Sequence, residues 1–370
     1  MYEDGLRSIQ RMPITKPRQH GVEPPPLPWY RCLRCMGLGK IGIAGMEPTW
    51  GKTLVIANPA AQSGRGREGA IEVERALKTG EAPVVSWEMR LTTRRGEATE
   101  IAAQASEYDT VLVLGGDGVI HEAVNGLMRL DESARPRLGV LPLGSGNDFA
   151  RTLGVASRNK PADALRELAG CGTERTFDLG FVSSDAEPAG TWFMQTLSFG
   201  LDAAIALGSM ETRKGSGTHG TRLFGALGLD VFAHNGDPFP YTATLWEREG
   251  SEPVELAGEE VVFAVQVGPT YGGGFRICPQ ASPTDGLLDL CRSLRVPSVP
   301  HTLALFARAR LGLHAGSPVL EFRTVSRMEL AFTQQEPPCQ ADGEVLRGIR
   351  YEIRSVPKAL HVITGRAWQG

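Results

Sequence analysis

The chain has 370 residues, more than one small core accommodates, so its length points to two domains. Its 39 basic and 42 acidic residues leave a formal net charge of -3, and 41% hydrophobic with 22% charged residues is ordinary for a folded globular chain. This balance lacks the basic excess of a nucleic-acid binder, so no nucleic-acid partner is expected.

Residues 1–50 are rich in Pro and Gly, with dispersed basic residues and no sustained apolar periodicity, and read as a poorly ordered extension. Met46 lies just before the first convincing strand and offers an alternative translation start, which intact mass would decide. The beginning of the chain lacks the apolar core of a secretory signal. No apolar stretch approaches the roughly 20 residues of a spanning helix, so the expected location is cytoplasmic. Of six cysteines only Cys32 and Cys35 form a CxxC pair, and without a second pair they read as reduced structural thiols.

From residue 52 the pattern becomes regular. A strand at 53–57, a Gly/Arg loop to 69, a helix at 70–78 and a strand at 84–90 come first. A helix at 98–105, a strand at 110–114, a helix at 119–128 and a strand at 138–143 continue the alternation. Helices at 147–153 and 161–168 follow, the second opened by Pro161. This βαβα order predicts a mostly parallel sheet, a Rossmann-like α/β nucleotide domain over 51–177. Short β-rich runs at 192–197, 241–246, 260–267, 287–291 and 327–332 then predict an antiparallel β-sandwich domain over 178–355. Amphipathic helical stretches at 221–233 and 299–313 interrupt it. Within the terminal segment 356–370, residues 359–364 are a candidate strand returning to the first domain.

The most informative turn is Gly115-Gly116-Asp117-Gly118, between the strand at 110–114 and the helix that follows. Glycines allow close backbone approach, and a helix start offers unpaired N–H groups to phosphate oxygens. A carboxylate fixed beside a polyphosphate is repelled unless a cation or a proton in transfer lies between them, which suggests phosphoryl transfer. Two more glycine-rich turns, 58–66 (NPAAQSGRG) and Gly144-Ser145-Gly146-Asn147, sit at or near other strand ends. The C-terminal ends of parallel strands share one edge, so all three turns can converge on one nucleotide crevice. One such turn is more often only a turn; three at equivalent places shift the weight to function. Ser145 and Asn147 offer a hydroxyl and an amide to phosphates or a base. Arg65 and Arg67 supply mobile charge, with ordinary loop polarity about equally good an account of them.

GxGxxG matches at 37–42 and 215–220 fail the strand-then-helix context of a dinucleotide fingerprint, and neither a Walker A sequence nor a protein-kinase motif set occurs. In the second domain, Asp285-Gly286 and Asp342-Gly343-Glu344 carry acids on glycine-flexed turns. Asp285 with backbone carbonyls and waters would suit Mg²⁺, although alone it reads better as a hairpin turn. Glu344 has no turn-forming reason to be acidic.

Six blocks in order resemble the diacylglycerol-kinase catalytic domain of bacterial diacylglycerol and lipid kinases and of the sphingosine kinases. They are NPAAQSGRG (58–66), LTTRRGEATEIA (91–102), LGGDGVIHEAVNGLM (114–128), LPLGSGNDFARTLG (141–154), YGGGFRICPQASPTDGLLDL (271–290) and DGE (342–344). The resemblance spans residues 52 to about 348. It implies an active site in the cleft between an α/β domain and a β-sandwich, ATP as donor, Mg²⁺ as cofactor, and a lipid hydroxyl of diacylglycerol or sphingoid type as acceptor.

Carried over by position, the resemblance sets ATP against Asn58, Thr92, Gly115, Gly116, Asp117, Gly118, Val119, Ile120, His121, Glu122 and Ser145. Asp148 supports this set, and Asp117 organises magnesium and the reacting hydroxyl. A magnesium site matches Ser282, Asp285 and Leu287, with Leu287 acting through its carbonyl, and Glu344 matches the proton acceptor. Val119 stands where Thr is usual, and Ser282 where some relatives have Asp. His121-Glu122 is closer to the sphingosine kinases, so the lipid stays open, as does the choice of Glu344 or Asp117 as base.

A lipid acceptor implies a peripheral, transient membrane association. The candidate contacts are 221–233 and 299–313, the latter with Arg308 and Arg310 beside Leu303, Leu305, Phe306 and Leu311. Packing on the protein's own core is favoured for them by roughly two to one. A homodimer is compatible with the sequence, which does not fix oligomeric state. The rival readings are an NAD kinase or phosphofructokinase-like enzyme, which lacks the later blocks, and a non-catalytic lipid-binding protein of the same fold. Asp117, Asp285 and Glu344 argue against the second.

Overall fold

The structure, a computed structural model, describes residues 49–216, 238–295 and 298–368. The N-terminal stretch to residue 48 with its CxxC pair, the 37–42 glycine match, and the amphipathic stretch 221–233 lie outside the described residues.

The chain begins with β1 (Gly51–Ala57), α1 (Arg65–Lys78), β2 (Val84–Leu91), α2 (Glu97–Ala102), β3 (Thr110–Gly115), α3 (Asp117–Leu127) and β4 (Arg137–Pro142). The helices α4 (Asp148–Thr152) and α5 (Pro161–Cys171) follow. Strands β1, β3 and β4 pair in parallel in the order β2-β1-β3-β4. Every residue of β3 is buried, as expected of a strand covered on both faces. Order reverses between β1 and β3, so a crevice opens where their C-terminal ends diverge.

Helix α1 starts five residues before the sequence reading placed it. Its buried stripe includes Gly66 and Gly69, which lower helix propensity but are required by packing: a Cβ on Gly66 would stand 2.0 Å from the Asn58 carbonyl oxygen.

Then come β5 (Thr173–Ser184), β6 (Thr191–Phe193), β7 (Thr196–Gly200), α6 (Leu201–Ser216), β8 (Phe239–Trp246), β9 (Val254–Glu260), β10 (Val262–Gln266) and β11 (Leu288–Ser293). The last elements are α7 (Val299–Ala309), β12 (Leu320–Val325), β13 (Arg327–Phe332), β14 (Cys339–Ala341), β15 (Glu344–Val345) and β16 (Arg350–Thr364). A six-stranded sheet, β12-β11-β10-β7-β14-β15, packs on β5, β8, β13 and the first half of β16. Their shared core centres on Phe193, Phe199, Phe263 and Tyr351.

The two halves share a sheet. β16 pairs antiparallel with β13 and, beyond a register shift between Val356 and Leu360, continues along β5 to meet β4 in parallel at Val362–Leu138. The terminal run at 359–364 is the end of this one long strand. The texture change at 177/178 falls inside β5, which crosses from one half to the other without a break.

The run expected at 192–197 is split. Met194 and Gln195 leave the ladder between β6 and β7, and their N–H groups turn to a side chain described below.

Candidate active site

Three turns meet at the crevice. Asn58 ends β1, donating its N–H to the Leu114 carbonyl (2.9 Å), and its side-chain oxygen accepts the Ala60 N–H (2.9 Å). The Leu143 N–H donates to the Gly115 carbonyl (2.7 Å), which ties the second turn to the third. Gly116 and Gly144 touch backbone to backbone: a Cβ on Gly144 would lie 2.5 Å from the Gly116 Cα. Only glycine fits this crossing. A Cβ on Gly146 would fall 2.7 Å from one Asp117 oxygen and 3.1 Å from one of Asp148, so the two carboxylates crowd the same glycine.

Asp117 opens α3 and accepts the Phe149 N–H (3.2 Å). Asp148 opens α4 and is buried, pairing with Arg151 (3.0 Å) and accepting the Gly273 N–H (2.7 Å) from the β-rich half. Burial, then the Asp148 charge, pushes the Asp117 carboxyl up to about 7. The N–H groups of Phe149 and Asn147 oppose the rise, while the Asp342 charge adds to it. Burial also raises Asp148, against the N–H groups of Gly273 and Gly274 and the Arg151 cation.

The opposite wall comes from β7, β14 and the glycine loop at 271–275. Asp342, whose φ is 50°, accepts the N–H groups of Met194 (2.7 Å), Gln195 (3.0 Å) and Thr196 (2.9 Å). His121 on α3 approaches the same carboxylate at 3.3 Å. Gln340 accepts the Gly343 N–H (2.6 Å) and donates to Ser198 (2.7 Å), and Thr152 of α4 donates to Gln195 (3.0 Å). A cleft of about 800 Å³ lies between the walls.

Of the residues singled out by sequence, Asn58, Arg65, Gly116, Asp117, Gly118, Val119, Gly144, Ser145, Gly146 and Asp148 line this cleft. Six others do not. Thr92 is buried, with its N–H on the Ala57 carbonyl (2.9 Å), and Gly115 is a buried strand residue. Ile120 is fully enclosed in the α/β core, His121 turns to Asp342, Glu122 accepts the Ala98 N–H (3.3 Å), and Asn147 is buried with its amide on the Gly144 carbonyl (2.9 Å).

Glu344 stands just outside the cleft lining, which includes its neighbour Gly343, and its carboxylate pairs with Arg95 of the α/β half. Ser282, Asp285 and Leu287 are away from the cleft. There the Leu287 N–H donates to Asp285 (3.0 Å), and Ser282 and Thr284 share a hydroxyl contact (3.1 Å). Burial and then the Asp285 charge push Asp289 up to about 6, and one Asp289 oxygen is buried without a hydrogen-bond partner.

Sequence reasoning missed the anchoring role of Asp342 and the contributions of Gln195 and Gln340. Asp342 was visible only as an acid on a glycine turn; its three donors lie about 150 residues earlier, beyond any local spacing rule.

Among the described residues, no group of three or more His, Cys, Asp or Glu side chains forms a metal cage. The donors present still suit a hard cation: Asp117 and Asp148 are close carboxylates with the Arg151 cation at one side, and Asp285 adds charge beside the orphaned Asp289 oxygen.

Residues 52–182 match the diacylglycerol kinase catalytic domain, and residues 245–364 match the YegS C-terminal NAD kinase beta sandwich-like domain. A diacylglycerol kinase of Mycobacterium tuberculosis is 30% identical over 268 residues, 72% of this chain and 80% of the relative. A "probable lipid kinase YegS-like" protein of Chromohalobacter salexigens is 33% identical over 246 residues, 65% of this chain and 70% of its own. A solved diacylglycerol kinase of Bacillus anthracis strain Sterne superposes with a TM-score of 0.66 at 24% identity, covering 85% of this chain and 98% of that one, a likeness of fold. Glycine turns, paired carboxylates and sandwich wall thus recur in a chain similar to these proteins along most of its length, and it belongs to the diacylglycerol/lipid kinase family, as a kinase phosphotransferase.

Proposed function

We propose that this protein transfers the γ-phosphoryl group of ATP to the hydroxyl of a lipid, diacylglycerol or a sphingoid-type alcohol, with Mg²⁺ as cofactor. The observation that carries this reading is Asp117, held between backbone-crossed glycine turns and facing a wall built by a second domain. Phosphoryl transfer asks a protein to align nucleophile and leaving group and to neutralise charge. The start of α3, where Gly116, Asp117 and Gly118 line the cleft, and Ser145 are where phosphate oxygens would lie. Asp117 and Asp148 would hold Mg²⁺, and the charge neutralisation at the transferred group would come from it. Ser282, Asp285 and the Leu287 carbonyl are the second candidate donor set, distant from the chemistry.

Asp117 lines the cleft opposite the wall of the β-rich half, so we assign it the proton of the attacking hydroxyl. Glu344 acts beside it, through the Arg95 pair that joins the two walls. The acceptor resides in a membrane, which makes the association peripheral and transient, with the protein cytoplasmic. No helix among the described residues is long and apolar enough to cross a bilayer.

The test is incubation of purified protein with radiolabelled ATP and, separately, diacylglycerol, sphingosine, NAD and sugars. Label in a lipid product that requires Mg²⁺ is expected; label in NAD or sugar alone would overturn the reading.

A further inference from the structure

Helix α7 buries Thr302, Leu305 and Ala309 and turns its opposite stripe to solvent. That stripe, at helical spacing, reads Pro300, His301, Leu303, Ala304, Ala307 and Arg308, with Leu311 following in the turn. A surface helix normally presents charged and polar residues there; this one presents a single charge. Eight large apolar side chains are exposed among the described residues, and three of them lie on this helix and the turn that follows it: Leu303 (42%), Leu311 (68%) and Leu313 (59%).

Charge is segregated in the same place. The chain as a whole is net acidic, yet residues 291–320 contain Arg292, Arg295, Arg308 and Arg310 and no Asp or Glu. Arg292 is drawn inward by Glu321 (2.6 Å), while the other three are exposed. The exposed leucines of this face stand beside Arg308 and Arg310, a combination that complements a surface apolar beneath and anionic above.

This face is joined to the cleft. The Arg276 N–H donates to the Ala309 carbonyl (2.9 Å) and Arg310 donates to the Gly273 carbonyl (2.9 Å), while the Gly273 N–H holds Asp148. The Arg310 guanidinium also lies over the Phe275 ring, 5.3 Å from its centroid.

We propose that the outer face of α7, with the turn at 310–313, is the surface by which the protein docks on an anionic bilayer. The leucines enter the acyl boundary and the arginines meet the lipid phosphates. The choice of a bilayer as occupant rests on the lipid-kinase reading; the docking itself needs neither ATP nor turnover.

The experiment is flotation of the full chain with phosphatidylcholine vesicles, with and without admixed phosphatidylglycerol, for the wild type and for Leu303→Ser/Leu311→Ser. Wild-type partitioning that rises with phosphatidylglycerol, falls with salt, and drops about tenfold or more in the double variant is expected from the burial of two leucines. Turnover on a detergent-dispersed short-chain acceptor should be the same in both proteins, since neither leucine touches the cleft. Equal partitioning of the two proteins, or indifference of the wild type to phosphatidylglycerol, would overturn the proposal. An environment-sensitive bimane on Leu303→Cys, read against labelled wild type, separates the remaining alternative. A blue shift only with anionic vesicles supports docking; a blue-shifted signal before vesicles are added means that protein already covers this face and defeats it.

Discussion

The two walls of the cleft are built by different means. The α/β wall is made of backbone: three turns following parallel strands, packed so tightly that Gly116 and Gly144 leave no room for a side chain. The β-rich wall is held by side chains: Asp342 takes the N–H groups of Met194 and Gln195 where the ladder is interrupted between β6 and β7, and Gln340 holds the neighbouring Gly343 N–H. A backbone wall suits phosphate oxygens, which all nucleotides share, and a side-chain wall is where an acceptor can be told from its rivals. The walls do not float apart: β5 and β16 run through both halves, and His121–Asp342, Thr152–Gln195 and Asp148–Gly273 bridge the cleft.

The sharpest way to separate the walls is Asp117→Asn. It removes the proton acceptor and one cation ligand from the backbone wall, and turnover should fall by about 10²- to 10⁴-fold. The melting temperature should not fall, because ionising Asp117 in the folded state is disfavoured. Wild-type turnover would break the assignment.

Asp342→Ala strikes the other wall. Three N–H groups lose a buried acceptor together, so unfolding should become easier by about 3 kcal/mol or more in denaturant titration. An unchanged midpoint would show that the side-chain wall is not held in this way.

Asp202 lies behind the same wall, near Tyr271, with one oxygen buried and unpartnered, and burial pushes its carboxyl up to about 7. An acid raised above its unfolded value of about 3.9 favours folding fully below that value and loses this contribution as pH rises through the folded one. Asp202→Asn should therefore match wild type near pH 4 and exceed it at pH 8 by an amount on the order of a few kcal/mol. Parallel stability curves across this range would contradict the shift.

The smallest effect expected is that of Arg95→Gln on stability. Arg95 is 69% exposed on its side chain, so loss of its Glu344 pair should change unfolding by less than about 1 kcal/mol. A clear fall in turnover with that small cost would show the pair acting across the walls on catalysis.

The same contrast explains what the sequence could say. The backbone wall was legible because each turn is a contiguous run, and because apolar strands such as that at 110–114 announce where a glycine turn must follow. Asp117 could be named from these runs alone, and Asp148 from the resemblance they carry. His121 and Ile120 entered the ligand set through the resemblance, which carries over the whole turn from Gly115 to Glu122; helical geometry sends one to Asp342 and the other into the core. Asp342 and Gln195 were hidden by sequence distance, and the split at Met194 by a side chain that arrives from β14. The start of α1 was hidden by glycines whose packing role outweighs their poor helix propensity.

The central claim is that Asp117, in a cleft walled by both halves, directs a phosphoryl group from ATP to a lipid hydroxyl. The most direct test gives wild type and Asp117→Asn the same total lipid extract with ATP and Mg²⁺, and reads new phospholipids by mass spectrometry. A lipid gaining one phosphate with wild type and almost none with the variant is the predicted result. No new phospholipid with the wild type, or equal amounts with both, would contradict it.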